Sequence, residues 1–152
     1  MGDQPVAPPG LFKPLVRLSA NFKAVEFACN CGCGYGLGSN DVSPRLVAGL
    51  QELRDRLGKP IHIDSGCRCV PYNLAKGGAA HSRHLLGWAA DIRVDGMTAR
   101  ELYVVVLGIA AFSAGGVGVS DEGQFVHVDV REGDQLTHWC YRGGKEVAWY
   151  DA

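Results

Sequence analysis

The stretch SRHLLGWAADI, residues 82–92, sets His84 and Asp91 seven positions apart, with Gly87, Ala89 and Ala90 between them. In one helix the two side chains would share a face but stand about 10 Å apart along the axis, at 1.5 Å rise per residue. Two ligands of one metal ion must each lie about 2 Å from it, so a helix excludes joint coordination. A chain that reverses at Gly87 and returns as a strand brings both side chains to one point. Glycine permits that reversal, and the two alanines leave room around it. The stretch is therefore read as a turn entering a strand. By spacing alone, His84 and Asp91 are equally two unrelated polar residues.

A second stretch, FVHVDV at 125–130, alternates as a strand does. Val126, Val128 and Val130 point to one side, the expected core. Phe125, His127 and Asp129 point to the other, with His127 and Asp129 about 6.5–7 Å apart along the strand. A solvated polar face gives the same pattern. A third stretch, SGCRC at 65–69, places Arg68 at the exit of a strand, where it suits a carboxylate or an oxyanion, or a plain surface ion pair.

Outward from these, Ser43 as N-cap, Pro44 at the first helical position and Leu46, Val47, Leu50, Leu53 and Leu57 predict a helix that Gly58 and Pro60 end. PIHID and WAADIRV read as strands, and YNLAKGG as a short helix ending at Gly77. Thr98 and Glu101 form a capping box for a helix over 99–112. GGVGVS and QFVHVDV read as paired strands joined by a tight turn at Asp121, Glu122 and Gly123, with one or two further strands in 137–150. Helices and strands do not alternate regularly, so the expected class is α+β, a mainly antiparallel sheet packed with helices. Residues 1–20 hold four of the seven prolines and read as an extended arm, leaving 21–152 as the domain.

At 152 residues and 47% hydrophobic, the chain suits one domain with a real core. Fifteen basic against sixteen acidic residues, with no basic stripe, argue against a nucleic-acid partner. No run approaches the roughly 20 apolar residues of a membrane span, and MGDQPVAPPG lacks the layout of a secretory signal. Synthesis in the cytoplasm and a monomer are expected. The six cysteines, Cys29, Cys31, Cys33, Cys67, Cys69 and Cys140, do not show the C-x2-C pairs of a zinc finger. They are read as ordinary thiols near turns, with disulfides or a second metal as the alternative.

Together the three stretches resemble the zinc D-Ala-D-Ala carboxypeptidase and peptidoglycan endopeptidase family, which has the hedgehog/DD-peptidase fold. The phage and prophage branch of short enzymes is the most similar. The pattern S-x-H-x-x-G-x-A-x-D is met by Ser82, His84, Gly87, Ala89 and Asp91. H-x-D is met by His127 and Asp129, and S-G-x-R by Ser65, Gly66 and Arg68, with Asn73 following. EFACNCGCG also resembles the N-terminal part of this branch, and the likeness runs from about Asn21 to Arg131.

The resemblance implies one catalytic zinc held by His84, Asp91 and His127 with one position open to the reaction. It implies that Arg68 steadies the oxyanion or the substrate carboxylate, and that Ser82 contacts the substrate backbone. Asn73 and His81 join the expected substrate-binding set, although His81 also reads as a plain loop histidine. Many relatives carry an acid three residues before the last histidine ligand, where this chain has Gln124. Asp129 is the expected replacement as general base, with Asp121 and Glu122 as fallbacks. The alternative is that Asp129 fixes a ligand imidazole through its other nitrogen. His62 and His138 are read as structural or exposed, and Trp88 and Trp139 as core that could also wall a cleft.

The expected activity is hydrolysis of peptide bonds in bacterial peptidoglycan, by a carboxypeptidase or an endopeptidase of endolysin type. It would act on the stem peptide at the cell wall after release, or from a phage particle. The alternative is an inactive zinc-containing binding module for a wall peptide or a protein partner, as in the hedgehog signalling domain.

Overall fold

The computed structural model describes residues 16–149. Helix α1 spans Pro44–Leu57 and closes where Gly58 turns left-handed at φ 63° and donates its N–H to the Arg54 carbonyl. Ser43 precedes it without a side-chain cap bond. Its backbone N–H instead reaches the Gly87 carbonyl at 2.9 Å, tying the start of α1 to the turn in the 82–92 stretch. Strand β1 (His62–Ser65) follows, then helix α2 (Val70–Ala75). Strand β2 (Ala89–Arg93) is entered from a short 3-10 turn over Arg83–Leu86.

The capping box at Thr98 and Glu101 is present, with both reciprocal bonds made. The helix it starts, α3, spans only Ala99–Val106, and a second short helix, α4, covers Ala110–Ser113. The single helix expected over 99–112 is thus broken. Gly108 lies at the break, where the Gly108 and Ile109 N–H groups bond back to Val105 and Val106 and glycine is a poor helix former.

Strands β3 (Gly116–Ser120) and β4 (Phe125–Asp129) pair antiparallel. Their connection is four residues long, and Gln124 adopts φ 53° in it. Strand β5 (Thr137–Arg142) and strand β6 (Lys145–Val147) form a hairpin through Gly143 and Gly144. Among the described residues the six strands make one sheet in the order β1-β2-β4-β3-β5-β6. Every pairing is antiparallel except β3 with β5. The fold is α+β with a mainly antiparallel sheet.

One face of this sheet is the core. Val117, Val119, Val126, Val128 and Ile92 are buried there with Phe112, Leu102, Val106 and the Leu46, Leu50 and Leu53 stripe of α1. The valine side of FVHVDV lies inward, as the alternation requires, which sends His127 and Asp129 to the opposite face. Of the predicted arm, residues 1–15 lie outside the described residues. Residues 16–20 lie on the domain: Leu18 packs against the core and Ser19 donates to Gln51 Oε1 at 2.7 Å. No helix among the described residues is long and apolar enough to cross a membrane.

Candidate active site

Strand register assembles the site. Asp91 on β2 faces His127 on β4, and Ala89 faces Asp129. Directly opposed residues hold their Cβ atoms about 5 Å apart, so the two side chains meet without any special loop. His84 arrives from the 3-10 turn, whose N-cap Ser82 accepts the His84 N–H at 3.3 Å. Gly87 then reverses the chain at φ 72° into β2. The turn-then-strand reading of SRHLLGWAADI is what the chain adopts.

The imidazole Nε2 of His84 lies 3.2 Å from Asp91 Oδ1, and Nδ1 of His127 lies 3.0 Å from the same oxygen. All three residues are buried, with one ligand atom from each lying within 4.8 Å of the others. The far side of each ring is already engaged. His84 Nδ1 lies 2.6 Å from the Gly66 carbonyl, and His127 Nε2 lies 2.8 Å from Asp129 Oδ2. Both of those partners accept hydrogen bonds, so each ring carries a proton on its outward nitrogen and leaves the inward nitrogen as the one that can hold a metal. Two lone pairs and a carboxylate oxygen at 3 Å repel unless a proton or a metal cation lies among them. This donor set fits a metal ion: two imidazoles and a carboxylate, with both imidazoles held by carbonyl or carboxylate acceptors.

The electrostatics agree. Burial would raise Asp91, but the imidazoles of His84 and His127 outweigh it and hold its carboxyl well below the usual range. Burial would lower His127, yet the carboxylates of Asp129 and Asp91 push it up to about 9. Asp129 is also held low. Its burial is outweighed by His127 and by Arg131.

Arg68 lies in the wall of the cleft. Its Nε donates to Ser65 Oγ at 2.9 Å and its Nη2 to Asp91 Oδ2 at 3.1 Å. Asp91 thus turns one oxygen to the two imidazoles and the other to Arg68. The cleft above has a volume of about 650 Å³ and is lined by Arg68, His81, Ser82, His84, Asp91 and His127 among others.

Two of the expected residues do not line the cleft. Asn73 is 3% exposed and does not line the cleft; its Nδ2 donates to the Ala79 carbonyl at 2.9 Å, so it supports the 77–79 wall from beneath. Asp129 is fully buried, and both its oxygens are taken. Oδ2 faces His127 Nε2 and accepts from Arg131 Nη2 at 2.7 Å, while Oδ1 accepts the Arg131 N–H and Nε at 3.0 and 2.9 Å. Of the fallbacks, Asp121 pairs with Arg100, and neither it nor Glu122 lines the cleft. His62 meets Asp95 at 3.1 Å, and His138 stacks on Trp149.

Sequence reading missed Arg131, Tyr141 and Glu146, and gave Trp139 as core that could also wall the cleft, which it does. Arg131, which secures Asp129 and lies over the Trp139 ring at 5.0 Å, continues the 127/129/131 alternation and was within reach of that pattern. Trp139, Tyr141 and Glu146 line the cleft from β5 and β6. They reach it only because β5 pairs parallel with β3, for which no local signal exists. The two glycines of GVGVS now have a reason. Gly116 faces Asp129 and Gly118 faces His127; a Cβ on Gly116 would strike Asp129 and Arg131, and one on Gly118 would come within 2.5 Å of Trp139 Nε1.

Comparison with known proteins adds an independent line. The chain is 30% identical over 105 residues to the peptidoglycan L,D-endopeptidase MepK of Escherichia coli K12, a match covering 64% of this chain and 54% of that protein. The MepK proteins of Escherichia coli O157:H7 and Shigella flexneri match to the same extent. The chain thus spans about half the length of these curated relatives. The family model for peptidase M15 matches residues 20–129, well over half of the 152 and inclusive of His84, Asp91, His127 and Asp129. With the converging ligand atoms inside the matched segment, the chain belongs to the peptidase M15 family.

Proposed function

We propose that this chain is a zinc peptidase that hydrolyses peptide bonds in bacterial peptidoglycan, with His84, Asp91 and His127 as the zinc ligands. One observation carries the reading: two imidazole nitrogens and one carboxylate oxygen converge at the floor of a cleft, with the outward nitrogens already bonded. A bound zinc there supplies Lewis acidity toward a scissile carbonyl. Membership of the peptidase M15 family supports the chemistry, and the likeness to L,D-endopeptidases favours an internal bond over a terminal one.

The chain's own residues divide the remaining work. Arg68 is held at Asp91 and Ser65, so its guanidinium is aimed before substrate arrives and faces developing negative charge in the cleft. Ser82 and His81 line the same wall and contact the substrate peptide. Asp129 takes the orienting role: its four hydrogen bonds fix His127 and leave no oxygen facing the reaction. Glu146, which lines the cleft from β6, is then the carboxylate available for proton transfer.

The second reading is a metal-holding binding module without turnover. Gln124 in place of an acid, together with the fully bonded Asp129, favours it. Incubation with purified peptidoglycan, with and without a chelator, separates the two when released fragments are weighed by mass spectrometry. Chelator-sensitive release of a defined fragment is expected and identifies the bond. Intact peptidoglycan from zinc-loaded protein supports the binding module.

A further inference from the structure

Four of the six cysteines lie together, three from residues 29–33 and the fourth from position 69. The Sγ atoms of Cys29, Cys31 and Cys69 form a near-equilateral triangle with sides of 3.5, 3.7 and 3.6 Å. Cys33 completes the group, all four sulfurs lying within 4.8 Å of one another. Cys67 and Cys140 lie outside it, directed at the Asp41 and Trp149 carbonyls.

The spacing discriminates between chemistries. A disulfide draws two sulfurs to about 2.05 Å and leaves the others out. Four sulfurs bound at about 2.3 Å to one tetrahedral zinc stand about 3.8 Å apart along every edge. Three sides near 3.6 Å fit the second pattern. The surrounding backbone fits as well: the Cys69 N–H is directed at Cys29 Sγ at 3.5 Å. Segment 29–36 folds over itself, with the Cys29 N–H on the Tyr35 carbonyl at 2.7 Å and the Gly32 N–H on the Cys29 carbonyl at 3.1 Å. From residue 30 to residue 34 this segment carries only Asn, Cys and Gly, and Cys31 and Cys33 are exposed. Between Cys29 and Tyr35 no apolar side chain other than cysteine is present to anchor the turn.

We propose that Cys29, Cys31, Cys33 and Cys69 bind a second, structural zinc ion as four thiolates. With four protein ligands the ion has no open position and takes no part in hydrolysis. Its place gives it a purpose. Cys69 directly follows Arg68, whose N–H bonds the His84 carbonyl at 3.0 Å, and the Cys67 N–H bonds the Phe27 carbonyl at 2.8 Å. The ion would fasten the 29–36 loop to the segment that carries Arg68, and so brace that wall of the cleft.

The test is metal analysis of protein prepared under reducing conditions. The His84→Ala, His127→Ala double variant lacks two of the three cleft ligands. It is expected to retain one zinc per chain, with an X-ray absorption spectrum showing sulfur neighbours alone at about 2.3 Å. In unaltered protein, stepwise titration of thiols with an organomercurial is expected to release that zinc as the four clustered thiols react. Cys33→Ser, at an exposed position, is expected to weaken zinc retention about tenfold or more, while Cys140→Ser leaves it unchanged. Four outcomes overturn the proposal: a double variant free of zinc whose native counterpart loses no zinc to the mercurial; iron in zinc's place; a nitrogen- or oxygen-dominated shell; or a mass short of four hydrogens, the mark of two disulfides.

Discussion

The floor of the cleft and the cysteine loop gather ligand atoms with similar economy, but by opposite means. At the floor, Asp91 and His127 are cross-strand neighbours, and each imidazole has a second partner on its far nitrogen. The backbone hydrogen bonds of a six-stranded sheet hold that geometry whether or not an ion is present. In the loop, three of the four sulfurs come from a five-residue span whose other residues are Asn30 and Gly32. The difference teaches that a site on paired strands is organised by the fold, whereas a site on a glycine-rich loop must help to organise its own surroundings.

The largest expected effect breaks the floor. Asp91→Ala removes the oxygen shared by both imidazoles and the partner of Arg68. Loss of metal there forfeits several kcal/mol of transition-state stabilisation, about a thousandfold in rate, to be read as fragment release from peptidoglycan. The variant should still unfold cooperatively, because the core lies on the other sheet face. Asp129→Asn comes next. It should weaken metal binding at the floor about 10- to 100-fold, as loss of an orienting carboxylate does. Competition with a chromophoric chelator measures this. Glu146→Gln should leave that affinity unaltered while lowering turnover, and equal turnover would dismiss Glu146 from proton transfer.

Gly118→Ala tests whether the sheet itself sets the geometry. The added methyl crowds Trp139, an overpacking worth about 1–3 kcal/mol by denaturant unfolding. Stripping metal with a chelator addresses the contrast most directly. Amide exchange in 29–36 and around Cys69 should quicken about tenfold, while β2 and β4 keep their protection; equal loosening of both regions would erase the distinction. Thr98→Ala is the smallest, about 1 kcal/mol of stability from the lost cap, with metal content at both places unaltered.

The parts that sequence made legible share a property: each is written in one contiguous stretch. Gly87 between His84 and Asp91 announces a reversal, the valines of FVHVDV announce a face, and Thr98 with Glu101 announces a helix start. What was hidden depends on residues distant in the chain. The 130–136 connection carries β5 past the start of β3 to pair parallel on its other side, and this alone brings Trp139, Tyr141 and Glu146 to the cleft. The family resemblance implies substrate contact for Asn73, but its side chain is buried and bonds the Ala79 carbonyl under the wall. C-x-C-x-C lacks the usual zinc pairing and reads as ordinary thiols, because the fourth sulfur of the cluster lies forty residues beyond Cys29.

Register has a consequence for how this chain can change. A slip of one residue between β2 and β4 would send Asp91 or His127 into the core, so the floor is all or nothing and closed to gradual variation. The upper cleft is a different kind of territory. Residues 76–83 and the turn at Gly143 and Gly144 border it without supplying a strand to the sheet. Under the proposed function, substitutions and insertions there can alter which peptide is admitted while the chemistry beneath stays fixed. Divergence in substrate preference among chains built this way should therefore be recorded in the rim, and directed evolution aimed at a new wall peptide would do best to randomise it.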